Sequence, residues 1–403
     1  VGASTESTPY TTMPANFVGL AVARPAPAIA REAAALRAHG ARLVVATMHI
    51  GTSCKEFDHP EDASSCDRSE DLFHLLGELP RGTLDVIVAG HTHAGVAHTL
   101  DGVAVIESYS SGRAFGRVDV QFDPDGKLAG IHIDKPHRLC PVDKDGNAVP
   151  ISACEPGDYE GKPVVADPEV QKIVDAAMAR AGERRKEKLG VRLVETIRKA
   201  WAVESPEGNL MSDLMLAARP EAQVSVTNGG GLRADLPAGE LTYGQLFEAV
   251  PFDNRFALVE LTGKDLRTLV TTNLQHGGGI LSWSGLTARA RCRAGQLEVQ
   301  IRVGGKPLDD SARYKLATSD FLASGGDGMI GRLHLPDGAI RMTDTLIREA
   351  LVDVLRRWRS TSRAAIAPGR LYSKTAPRLD YEGQRPVECG TPAKPPTSKE
   401  SGQ

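Results

Sequence analysis

Gly90-His91-Thr92-His93 stands at the end of a short apolar run, Leu84-Asp85-Val86-Ile87-Val88-Ala89. The run predicts a buried strand, and the glycine lets the chain turn sharply where it leaves the sheet. Neutral imidazole is the commonest side-chain metal ligand, so a His-x-His pair at a strand's carboxyl end points to a metal centre. Two surface or hydrogen-bonding histidines would give the same pattern. His49, in Met48-His49-Ile50-Gly51, follows a second apolar strand, Leu43 to Met48, in an equivalent position. Three imidazoles leaving two strand ends can converge on one side of a sheet.

A second group lies further along the chain. Val224 to Thr227 reads as a strand that runs into Asn228-Gly229-Gly230-Gly231-Leu232-Arg233. Glycines let the backbone approach a ligand closely, Asn228 offers an amide, and Arg233 offers a planar fork for phosphate or carboxylate. An ordinary tight turn with a surface arginine fits the same residues. Phe252, in Val250-Pro251-Phe252-Asp253-Asn254, and Phe321, before Gly325-Gly326-Asp327-Gly328, are aromatics in loops of a chain with only 5% aromatic residues. They are either core anchors or two faces for a planar base, each worth about 1–3 kcal/mol when stacked. Asp327 is a turn former or an acceptor for ribose hydroxyls.

The elements that must position these groups alternate. A helix from Ala28 to Ala38 ends at Gly40, and Ser69 is placed to cap a second helix from Glu70 to Leu79. Strands are predicted at 103–106 and 117–122, the latter turning through Asp123 to Gly126 into 128–133 as a hairpin. Asp167-Pro168 starts a long helix, with Val170, Ile173, Val174, Ala177 and Met178 on one apolar face and a stop at Gly190. Residues 191 to about 358 read as a further α/β domain, and the last 25 or so as disordered.

At 403 residues the chain is long enough for two domains. A net charge of −3 gives no global field for nucleic acid or acidic lipid, and no apolar stretch reaches membrane-span length. Of six cysteines, Cys54/Cys66 and Cys140/Cys154 each bracket a short loop, as disulfides of an exported protein would; free thiols are the other reading. Cys292 and Cys389 are either free or paired with each other.

In order and combination these motifs resemble the 5′-nucleotidase family of two-domain metallophosphoesterases, over residues 1 to about 355. The motifs that carry it are Met48 to Gly51, Gly90 to His93, Glu204 with Gly208-Asn209-Leu210, Asn228 to Arg233, Pro251 to Asn254, and Phe321 to Gly328. The resemblance implies an α/β (α+β) chain: part of a calcineurin-like αββα sandwich (1–140), a connector and linker helix about which the domains rotate (141–190), a C-terminal nucleoside-recognising domain (191–358), and a tail (359–403). It implies two divalent metal ions (Mn, Zn, Mg or similar), with His49 and His91 on one and His93 on the other. It assigns Asn228, Gly231 and Arg233 to nucleotide contact, Phe252 and Phe321 to base stacking and Asp327 to the ribose.

The implied activity is hydrolysis of nucleoside 5′-monophosphates, in a periplasmic or extracellular setting. The partner is a nucleotide, with no nucleic-acid polymer and no membrane span. The family's catalytic His and remaining metal ligands are expected upstream of Val1, since no Asp-x-His or Gly-Asn-His precedes His49. A thiosulfohydrolase relative and a non-catalytic nucleotide-binding protein are the competing readings.

Overall fold

The computed structural model describes residues 1–142, 149 and 154–390, which gather into two compact units. Val1–Pro9 with Gly19–Gln171 form the first; Tyr10–Val18 with the chain from Lys172 onward form the second.

In the first unit a five-stranded sheet is built from β1 (Gly2–Ser4), β2 (Val45–His49), β3 (Val86–Val88), β4 (Gly95–Leu100) and β5 (Val103–Ser108). The strand order is β1-β2-β3-β5-β4; all neighbours are parallel except β4 against β5. Side chains alternate across the strands as a pleated backbone requires. Ala46, Met48, Ile87 and Val105 pack under two helices, α1 (Pro25–Ala38) and α2 (Asp71–Glu78), with Ile29, Leu72 and Leu76. Val45, Val86 and Ala104 face the other way, onto a ribbon of β6 (Ala114–Phe122) and β7 (Leu128–Arg138) through Val118, Ile131 and Ile133. The ribbon turns through Asp123 to Gly126, where Gly126 has φ 73°, as its Asp-Gly turn predicts.

α3 (Pro168–Lys186) begins where Asp167 predicts, its Oδ1 accepting the N–H groups of Glu169 and Val170. It ends four residues before Gly190. None of its residues is buried, so the stripe of Val170, Ile173, Val174 and Met178 is exposed.

In the second unit the central sheet has the order β12-β9-β15-β11-β16, where β9 is Val224–Asn228, β11 Arg255–Thr262, β12 Leu281–Ser284, β15 Arg313–Ser319 and β16 Ile340–Leu346. β9 and β15 are parallel neighbours. Alternate residues of β11 feed two cores. Phe256 and Leu258 pack with α4 (Pro206–Ala218) and α6 (Ile347–Trp358), while Ala257, Val259 and Leu261 pack with α5 (Gly263–Gln275). β8 (Lys188–Leu193) pairs antiparallel with β10 (Gly239–Thr242). A further sheet pairs β13 (Leu286–Arg293) with β14 (Gln296–Val303) and, in parallel, with β17 (Leu379–Tyr381).

Two expectations are corrected. Ser69 does not cap α2: its hydroxyl donates to the Asp67 carboxylate at 2.6 Å, and Glu70 occupies the cap without a side-chain bond. Residues 379–390 are ordered, because β17 adds to the β13 edge and Cys389 is tied to Cys292; residues 391–403 lie outside the described residues. The Cys292–Cys389 bond, 97 residues apart in sequence, is the paired one of the two alternatives open for these cysteines. Cys54–Cys66 and Cys140–Cys154 are also disulfides. No helix among the described residues is long and apolar enough to cross a membrane.

Candidate functional sites

β2 and β3 are parallel neighbours, so His49, the last residue of β2, and His91, three residues past β3, leave the same edge of the sheet. His91 Nδ1 stands 3.1 Å from His49 Nε2, with the rings edge to face at 4.7 Å between centroids. This spacing suits an N–H···N hydrogen bond. It equally suits two nitrogens about 2.0–2.1 Å from a shared ion. His91 is half-buried, and burial, aided by the His49 ring, lowers its pKa, keeping a lone pair available near neutral pH. Its partner His93 is exposed, and the three imidazoles do not all lie within 4.8 Å of one another. Both His91 (φ 86°) and His93 (φ 58°) hold left-handed backbone, a strain that persists only where surrounding contacts enforce it.

Those contacts come from Glu107, which the sequence reading passed over. It is 2% exposed, near the carboxyl end of β5, the next parallel strand. Thr92 Oγ1 lies 2.7 Å from Glu107 Oε1 and 2.8 Å from the Thr52 carbonyl. One hydroxyl proton cannot serve both acceptors. Burial raises the Glu107 pKa, although the Thr92 hydroxyl and nearby N–H groups of Ala94, Thr52 and His93 oppose it. Thr92 therefore donates to one of the two at a time, Glu107 Oε1 at 2.7 Å being the shorter contact. Glu107 Oε2 is buried without a hydrogen bond of good geometry. The signal was present in the sequence: Val103, Val105 and Glu107 share one face of a strand, so a carboxylate had to point into the core.

Cys54, Cys66 and His98 also lie within 4.8 Å of one another. Cys54 and Cys66 are oxidised together, and both His98 nitrogens face backbone carbonyls, of Glu56 at 2.7 Å and Pro60 at 3.3 Å. That cluster is structural. The residues at the histidine turn do suit a divalent cation: a neutral imidazole, a second nitrogen at ligand spacing, and a buried acid behind them.

In the second unit the parallel pairing of β9 and β15 places their carboxyl ends side by side, where open α/β sheets bind ligands. Asn228 ends β9, and Asp327 follows β15 in a turn with Asp327 at φ 56° between Gly325 (φ 107°) and Gly328 (φ 64°). Asn228 Nδ2 donates to Asp327 Oδ2 at 2.7 Å. Burial raises the Asp327 pKa, and the Asn228 amide partly offsets this. Phe321 folds over Gly326, where a Cβ would stand 2.5 Å from its ring. Gly231 is held against Asn228, whose Oδ1 would be 3.0 Å from any Cβ there. Arg233 is exposed, donates to the Gly230 carbonyl at 3.2 Å and lies 5.9 Å from the centroid of Phe252.

Phe252 is 48% exposed, on a loop after the helical turn Tyr243–Ala249. Arg348 fixes that loop. It is 6% exposed, donates to the carbonyls of Val250 and Phe252 at 3.2 Å, and pairs with Asp253. Burial opposes its charge, but hydrogen bonds with Tyr243 and Asp253 outweigh that and raise its pKa. Arg348 shares the stripe 348, 351, 352, 355 of α6, so periodicity alone placed a charge on the buried face.

Residues 185–332 match the family model described as 5′-nucleotidase, C-terminal domain. Through that domain the chain resembles the 5′-nucleotidases, a family of hydrolases. It is 28% identical over 265 residues to the Trifunctional nucleotide phosphoesterase protein YfkN of Bacillus subtilis, covering 61% of this chain and 17% of that protein. The crystal structure of a 5′-nucleotidase precursor from Thermus thermophilus superposes with a TM-score of 0.66 at 22% identity, over 90% of this chain and 68% of that one. Sulfate thiohydrolase SoxB of Thermus thermophilus superposes with a TM-score of 0.64 at 18% identity, over 97% and 64%. Both superpositions establish the shared two-domain fold. The chain spans about half the length, or less, of the first curated relatives it matches.

Proposed function

We propose that this chain supplies part of a metal-dependent phosphohydrolase acting on nucleoside 5′-monophosphates. Residues 1–140 contribute to the metallophosphoesterase domain, 141–190 are the connector and linker helix, 191–358 bind substrate, and 359–403 form the tail. His49 and His91 hold one divalent cation and His93 contributes to a second. Bound there, two cations would polarise the phosphoryl group and favour deprotonation of water.

The protein's own groups do the recognition. Phe252 and Phe321 take the two faces of the base, Asp327 accepts from the ribose, and Asn228, Gly231 and Arg233 meet the nucleotide along the glycine turn. The observation that carries this reading is the Asn228–Asp327 hydrogen bond. It closes two loops 99 residues apart in sequence into one polar floor beside Phe321. Three disulfides support an exported, periplasmic or extracellular setting.

The fold is shared with a sulfate thiohydrolase, and the exposed Phe252 favours the nucleotide reading, since a sulfur-compound hydrolase has no base to stack. Phosphate release from AMP with Mn²⁺, measured beside sulfate release from a thiosulfonate substrate, tests the assignment. Phosphate release that requires His49 and His91 supports it, whether from this chain or a longer form containing it. Sulfate release alone contradicts it.

A further inference from the structure

We propose that Glu107 is a positioning residue that sets the geometry of both histidine-bearing turns, and so the affinity of the metal site. The inference rests on the reading that His49 and His91 hold a cation. Glu107 stands between the two turns. On one side Oε1 meets the Thr92 hydroxyl at 2.7 Å, in the middle of His91-Thr92-His93. On the other, Oε2 lies against Gly51, two residues past His49: a Cβ there would fall 2.2 Å from that oxygen and 2.3 Å from the Gly90 carbonyl. The Gly90 N–H donates to the Ile50 carbonyl at 3.3 Å, so the same two turns are also joined through the backbone.

Three features make this more than ordinary packing. Thr92 is flanked by the two histidines with left-handed backbone, so its side chain is the anchor available to hold that strained turn in register. Thr52, on the far side of Thr92, is fully buried, which removes water as a substitute partner. Finally, the absent side chain at Gly51 leaves the space that Glu107 Oε2 fills. Partners one step behind metal ligands commonly change metal affinity about 10- to 100-fold when lost.

The test is a Co²⁺ titration of the chain, read by visible absorption, with thermal melting on the same samples. Variants are Glu107→Ala, Glu107→Gln and Thr92→Val, with His49→Ala as the control that reports binding at the histidines. Glu107→Ala and Thr92→Val are expected to weaken Co²⁺ binding about 10- to 100-fold and to change the absorption envelope. Glu107→Gln keeps a group that bonds to Thr92 and is expected to stay within about threefold of the parent. Thr92→Val removes the same hydrogen bond without emptying the site, so the inference does not depend on the alanine variant folding.

Lower melting temperatures with unchanged Co²⁺ affinity in Glu107→Ala and Thr92→Val would make Glu107 a packing residue and overturn the proposal. A Gln variant as weak as the Ala variant would also overturn it, because the bond to Thr92 would not be the carrier. If Co²⁺ binds and His49→Ala changes nothing, the metal reading itself fails, and this inference with it.

Discussion

Two candidate sites, one in each unit, are each backed by a buried ionisable side chain, an acid in one and a base in the other. In the first unit a buried acid, Glu107, backs a turn of two imidazoles at the ends of parallel strands. In the second a buried base, Arg348, backs the Phe252 loop, beside a glycine turn at the ends of another parallel pair. The base ties down a loop rich in carbonyl groups and one carboxylate. The difference teaches where each half gets its precision. The glycine turn is tied through Asn228 to Asp327 in a second loop, whereas the histidine turn, left-handed at both histidines, is tied through Thr92 to Glu107 on β5.

The comparison breaks most sharply at the two backing contacts. Gly51→Ala forces a Cβ against both Glu107 and the Gly90 carbonyl, and overpacking of a buried backbone costs about 3 kcal/mol or more. Urea unfolding is expected to show the first unit destabilised, with nucleoside binding by the second unit retained. Equal stability to the parent would mean Glu107 moves freely and holds nothing.

Arg348→Met removes the donors to Val250, Phe252 and Asp253 and strands two carbonyls, an expected loss of about 2–4 kcal/mol. It should weaken nucleoside binding while leaving Co²⁺ binding at His49 and His91 untouched. If both fall together, the halves do not act as separately built sites.

A smaller effect is expected at the glycine turn. Asp327→Ala leaves the Asn228 amide without its acceptor, costing about 1–2 kcal/mol of stability and roughly tenfold in adenosine affinity. Calorimetry that finds adenosine affinity unchanged would remove Asp327 from the ribose.

The smallest effect concerns Glu207 of α4, which is fully buried with neither carboxyl oxygen bonded, its pKa pushed well above the usual range by burial. A raised folded-state pKa favours the protonated form in the fold. Stability is therefore full below the unfolded value, about 4.3, and is lost progressively as pH rises toward the folded one. Glu207→Gln is expected to be more stable than the parent at pH 7–8 and to match it below about pH 4. Parallel stability–pH curves for the two proteins would show that Glu207 ionises without cost.

How much of this the sequence disclosed depended on distance along the chain. His49 and His91 could be set beside each other from sequence because one ends an apolar strand and the other follows a second apolar run after Gly90. The Asn228–Asp327 bond could not, since it needs β9 and β15 to be neighbours, and nothing local specifies that pairing. The order of residues 379–390 was missed for the same reason: their partners, β13 and Cys292, lie almost a hundred residues earlier. Glu107 and Arg348 are a different case. Period-two and period-3.6 patterns put both on buried faces, and a charge there is the informative exception among apolar neighbours. The exposed stripe of α3 shows the converse, since an apolar helical face in sequence does not guarantee a surface to cover it.

The central claim is that the second unit holds a nucleoside between Phe252 and Phe321. Isothermal titration of adenosine into the chain, and into Phe252→Ala and Phe321→Ala, tests it most directly. Each substitution is expected to weaken binding by about tenfold or more, one stacked face being worth about 1–3 kcal/mol, with Phe252→Ala leaving stability nearly unchanged because its ring is already half in solvent. Adenosine binding equal in all three proteins, or absent from the parent, would contradict the account.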